Sequence, residues 1–134
     1  MPDRSRVLSF IDTVVSGAHV EAIAGFYHED ASMRENTREP RRGRAALIAH
    51  EAAALARMAK IHTHPAGTFL IDGDQVVVQW TFDITDQQGV TRRMEELSLQ
   101  RWRGDRIAEE RFYYDPASIL PITPVTPTTH PAGA

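Results

Sequence analysis

Five residues in the last third of the chain combine carboxylates, a hydroxyl and aromatic rings at a spacing that suits a binding wall. Glu96 and Ser98 are two apart, as are Glu110, Phe112 and Tyr114. On a strand, side chains alternate between faces, so each set shares one face. Gly104-Asp105 stands between the two stretches, which marks a hairpin of long strands. Facing a cavity, this surface is a mixed apolar and ionisable wall, the kind a small-molecule site needs. Facing solvent, it is an ordinary charged sheet surface. Glu96, kept protonated by burial, and Ser98, in any state, can donate to a substrate oxygen. The commoner fate of such a glutamate is an ion pair, here with Arg92 or Arg111. Tyr114 can orient a carbonyl through its hydroxyl, or simply pack with its tip bonded.

Other candidates are scattered upstream. His62 and His64 are two apart on an expected strand and with a carboxylate could bind a metal, but no third ligand is apparent, so no metal site is assigned. His50 sits on a helix that could reach a cavity mouth. The arginine-rich run from Arg34 to Arg44 could recognise an anion, or be a solvated loop diluted by Glu35 and Glu39.

The elements that position these residues follow from periodicity. Val7, Phe10, Ile11, Val14 and Val15 predict an amphipathic helix ending near Gly17, and Val20, Ile23, Ala24 and Tyr27 a second. Ala31 to Thr37 is expected as a strand with Met33, Glu35 and Thr37 on one face. Alanine-rich Arg44 to Ala59 predicts a third helix with an apolar stripe of Ile48, Ala52, Leu55 and Ala59. Thr63 to Ile71 is expected as one strand with Pro65 and Gly67 near its start. Gln75 to Thr85 puts Val76, Val78, Trp80, Phe82 and Ile84 on one face, and the hairpin follows. Trp102, near the hairpin turn, is expected to be partly exposed. Helices followed by an antiparallel meander make an α+β domain over residues 1–120. Residues 121–134, rich in proline and threonine, are expected as an extended tail.

Composition sets outer bounds. The chain has 134 residues, enough for one core, and a formal charge of −3, which gives no electrostatic footprint for nucleic acid. No apolar run approaches a membrane span, and the N-terminus lacks a signal peptide's apolar centre. With no cysteine, disulfides and thiolate chemistry are excluded, which fits a reducing compartment and a cytoplasmic protein.

The order of elements, with Phe26-Tyr27-His28-Glu29-Asp30-Ala31, Gly43 opening a long helix, and Gly104-Asp105-Arg106-Ile107 running to Tyr113-Tyr114-Asp115, resembles the nuclear transport factor 2-like superfamily. Within it the SnoaL-like polyketide cyclases and ketosteroid isomerases are the most similar. The resemblance implies a cone: a bent antiparallel sheet packed on three N-terminal helices around a pocket. It also implies pairing as a homodimer through the outer sheet face, where Val77, Thr81, Leu97, Leu99 and Tyr113 fall.

By that resemblance Glu35 stands where the isomerases carry their general base, and Ser98 where they carry a protonated aspartate. Phe10 and Ile11 occupy the place of their first-helix tyrosine. Trp80, Phe82 and Phe112 fall where limonene epoxide hydrolases have an arginine and two aspartates, so that activity is set aside. The implied function is proton transfer in a small hydrophobic carbonyl compound, without a cofactor. Glu35, Ser98, Tyr114 and Glu96 would be catalytic, and Met33, Trp80, Phe82, Glu110 and Phe112 would bind substrate. A desolvated Glu35 becomes a stronger base, whereas one paired with Arg34, Arg38, Arg41 or Arg42 stays a surface residue. Members of the superfamily also include binders without catalysis, so a ligand-binding or dimerisation module is the alternative.

Overall fold

The computed structural model describes residues 1–123. Helix α1 (Arg4–Val15) buries Val7, Phe10 and Ile11, the face its periodicity marks. Helix α2 (His19–Phe26) adds Ala22, Ile23 and Phe26. Strand β1 (Tyr27–Glu35) follows without a break. It begins four residues before the expected Ala31 and stops at Asn36, whose φ of 50° is left-handed and tolerable for asparagine. The expected loop after it contains a two-residue strand, β2 (Arg41–Arg42), antiparallel to β1. Gly43, with a φ of 92°, then makes the turn into α3 (Arg44–Ala56), a conformation closed to most side chains.

The expected strand Thr63 to Ile71 is in fact two, β3 (Lys60–Thr63) and β4 (Phe69–Asp72). Both pair antiparallel with β5 (Gln75–Thr85). Pro65 lies in the gap, where its missing N–H breaks the ladder. β5 pairs along its length with β6 (Thr91–Arg103), and β6 with β7 (Arg106–Tyr113) through the Gly104 turn. A 3₁₀ turn (Pro116–Ser118) leads to β8 (Leu120–Pro121), which pairs with Arg92 and Arg93 of β6. Pro121 is therefore part of the sheet, while residues 124–134 of the expected tail lie outside the described residues.

The sheet runs β2-β1-β7-β6-β5-β3, with β4 and β8 attached at the side. It is not wholly antiparallel. β1 lies parallel to β7, a pairing that needs a long crossover and here uses everything between them. That crossover brings Met33 beside Glu110 and Glu35 beside Phe112.

The helices cover the inner face, and Phe10 is the hub of the core. Its ring meets Phe26, Tyr27, Trp80 and Trp102 edge-on, at centroid distances of 5.5 to 6.1 Å. Trp102 is 1% exposed, against expectation. It shares the inner face with Ser98 and Gln100, and the register shift between Arg101 and Trp102 tucks it under α1. The inward side of α3 is also rotated from the expected stripe: Leu47 is buried and Ala52 is exposed.

Candidate functional site

Between the inner sheet face and the helices lies a cavity of about 200 Å³. Its apolar lining includes Phe10, Met33, Trp80, Phe82, Met94 and Phe112, and the carboxylates on it are Glu35, Glu51, Glu96 and Glu110. Alternation on β5, β6 and β7 puts the aromatic and acidic side chains on one surface. Trp80 pairs with Glu96, and Gln100 with Glu110. Trp80 and Phe82 stack along β5 at 6.2 Å with 21° between their planes, a flat apolar wall beside the acids.

Glu96 is 8% exposed and makes no ion pair among the described residues. The arginines expected to neutralise it are engaged elsewhere: Arg92 with Asp86 at 2.8 Å, and Arg111 with the carbonyl of Asn36 at 2.9 Å. Burial, then the charges of Glu110, Glu35 and Glu51, push its carboxyl up to about 8. The group is thus a neutral acid at pH 7, facing the cavity.

Glu110, 3% exposed, is held differently. The Tyr27 hydroxyl donates to one carboxylate oxygen, and the Gln100 amide donates to the other at 2.7 Å. Gln100 is oriented in turn, because its carbonyl accepts the Trp102 indole N–H at 2.9 Å. Burial pushes Glu110 up to about 7, and the bonds from Tyr27 and Gln100 restrain the rise.

Glu35 lines the cavity at the end of β1 and also sits 3.7 Å from the exposed Arg38. Glu35 thus touches the cavity and an arginine at once. Ser98 is fully buried and lies beneath the wall, not on the lining. Its hydroxyl accepts the Trp80 indole N–H at 3.1 Å, which fixes that ring. Tyr114 falls just past β7, also off the lining, with its main-chain N–H bonded to the Asn36 side chain at 3.0 Å. Partial burial, then the charge of Glu35, raise its phenol above the ordinary value.

Several lining residues were not legible from the sequence. His19 bridges the helices to the sheet: one ring nitrogen lies 2.9 Å from the Thr63 hydroxyl, the other 3.4 Å from Glu51. With the proton on Nδ1 toward Glu51, Nε2 accepts from Thr63. Leu47 and Glu51 are four apart on α3, a spacing that would have put Glu51 on the inward side. His50 and Arg41 also reach the lining, whereas Arg34 and Arg42 line a groove on the outer face. His62 and His64 lie with rings 4.7 Å apart, but His64 bonds Asp83 at 2.7 Å, and among the described residues no metal-ligating group of three or more forms.

A largely apolar cavity with one unpartnered neutral acid can bind a small molecule and exchange a proton with it. No helix among the described residues is long and apolar enough to cross a membrane.

Comparison with known proteins agrees with this architecture. A proposed SnoaL-like polyketide cyclase from Mesorhizobium loti superposes with a TM-score of 0.68 at 22% identity, covering 85% of this chain and 100% of that one. A protein with a ketosteroid isomerase-like fold from Catenulispora acidiphila, in complex with trimethylamine, gives a TM-score of 0.72 at 18% identity, covering 90% and 92%. TerC, co-crystallised with polyporic acid, gives 0.70 at 17%, covering 83% and 89%. At these identities the likeness shows the fold alone. No curated protein matches the sequence. Residues 7–110 match the model of the SnoaL-like domain, and the chain belongs to that family.

Proposed function

We propose that this protein is a cofactor-independent acid–base enzyme that moves a proton within a small hydrophobic carbonyl compound, as an isomerase, cyclase or dehydratase does. The observation that carries the reading is Glu96, buried, facing the cavity and without an ion-pair partner among the described residues. In its neutral form it donates to the substrate oxygen as that oxygen gains charge, and a low-dielectric site strengthens such a bond. Glu35, the rim carboxylate, takes the proton from carbon. Tyr114, off the lining, acts indirectly through its hydroxyl beside Glu35, and Ser98 by holding Trp80 in the wall. Proton transfer of this kind calls only for donors and acceptors that the chain itself carries.

Small ligands bound to TerC and to the Catenulispora protein support a small-molecule site in this fold. The same reading has the protein as a cytoplasmic homodimer, with Leu97, Leu99 and Tyr113 on the paired outer face; they are 46%, 36% and 41% exposed in the single chain. One observation favours a second reading, a binder without catalysis: Arg38 is already within ion-pair reach of Glu35.

The test is carbon–hydrogen exchange in D₂O, read by mass spectrometry on a panel of hydrophobic ketones. The wild type exchanges protons beside the carbonyl, and Glu35→Gln and Glu96→Gln each lower the rate by about a hundredfold or more. Full exchange in either variant overturns its assigned role. No exchange by the wild type on any panel member supports the binder.

A further inference from the structure

We infer that this cavity takes ligands bearing a positively charged nitrogen on an apolar body, with the nitrogen seated at Glu110. The inference rests on the cavity being a small-molecule site, but not on its being catalytic.

Glu110 is framed by hydrogen-bond donors. Its two oxygens each receive a donor, the Tyr27 hydroxyl and the Gln100 amide. The amide has no freedom to turn round, because the Trp102 indole N–H occupies its carbonyl end. A frame made only of donors suits a carboxylate, not a carboxylic acid. Yet no arginine, lysine or histidine among the described residues forms an ion pair with Glu110. Buried charges are ordinarily paired. Here the open side is the cavity, so the missing cation is one a ligand brings.

The surroundings point the same way. Glu96, nine-tenths buried and unpaired, faces the same space. The charged and titratable groups on the lining are Tyr27 at the start of β1, His19 from α2, His50 and Glu51 from α3, Glu35 from β1, Arg41 from β2 and Glu96 from β6. Arg41 is the one arginine on the lining, and it rides the edge strand β2. The rings of Phe10, Tyr27 and Trp80 also border the space, and ring faces attract cations in desolvated sites. Gln100, the strand neighbour of Glu110, lies on the same face of β6 as Glu96. A substrate can therefore present its nitrogen to Glu110 and its carbonyl to Glu96.

The test compares 2-phenylethylammonium with 2-phenylethanol, its neutral counterpart, by calorimetry on the full chain. At pH 8 the ammonium binds about tenfold tighter or better. Glu110→Gln abolishes that preference, so that the ammonium and the alcohol then bind within about threefold of each other. A measurement on the wild type alone guards against a variant that fails to fold. Glu110 titrates at about 7, so at pH 7 the ammonium, but not the alcohol, releases up to about half a proton, read from two buffers of different ionisation enthalpy. Equal affinity for the two probes, absence of proton release, or binding of neither overturns the inference. The acid–base reading is judged separately by carbon–hydrogen exchange, so either can fail while the other stands.

Discussion

Replacing Glu96 by glutamine should make the protein more stable at neutral and alkaline pH, and the pH dependence identifies the cause. Glu96 is 8% exposed, and its carboxyl rises from 4.5 to about 8 on folding. A group that is easier to protonate in the folded state binds more protons there, so protonation favours the fold. That contribution is fully present below pH 4.5, declines as pH rises, and is gone above about 8. The full span corresponds to about 5 kcal/mol, of which about 3 kcal/mol is already lost at pH 7. Glutamine keeps the shape and cannot ionise. Burying its amide adds a roughly constant cost of about 1–2 kcal/mol, so the slope with pH is the informative quantity. Urea unfolding of both proteins from pH 4.5 to 9, at one protein concentration, should give curves that diverge in favour of Glu96→Gln by several kcal/mol. Glu110, at about 7, leaves a smaller slope in the variant. Parallel curves would mean that Glu96 has the same proton affinity folded and unfolded, and would overturn this cause.

Three further outcomes follow from the same contacts. Trp102→Leu empties space beside Phe10 and leaves the Gln100 carbonyl without its donor, costing about 3 kcal/mol or more in urea unfolding. Tyr27→Phe removes a donor to Glu110 and costs about 1–2 kcal/mol above pH 8, where Glu110 is ionised, but much less at pH 5. Arg93, then His64, hold Asp83 down at about 2, so Asp83→Asn loses about 1 kcal/mol at neutral pH, after allowance for the partly exposed partners. The wild type loses that increment itself as pH falls through 2, so the two proteins converge in acid.

What was legible in the sequence is what alternation and turn chemistry control. β5 spans Gln75–Thr85 as expected, and Gly104 with a φ of 66° turns the hairpin. The three helices follow from apolar spacing, although α3 is too rich in alanine for its stripe to fix which side faces inward. Local rules mislead where tertiary context decides. Nearness to a turn predicts a partly exposed Trp102, yet its even-numbered register with Glu96, Ser98 and Gln100 puts it inside. Pro65 divides what composition suggested was one strand. The buried chain from Tyr27 through Glu110 and Gln100 to Trp102 depends on the parallel pairing of β1 with β7, which joins segments far apart in sequence and leaves no local trace. The absence of an ion-pair partner for Glu96 among the described residues is equally hidden: six arginines lie within fifteen residues on either side, and only the fold shows that none pairs with it.

Glu96 stands in the cavity as a neutral acid at physiological pH. Carboxyl-labelled glutamate read by ¹³C NMR across pH 3 to 10 measures this directly. The expected spectrum holds a resonance that titrates at about 8 and is missing from Glu96→Gln. A Glu96 resonance titrating at the ordinary value of 4.5 would contradict it.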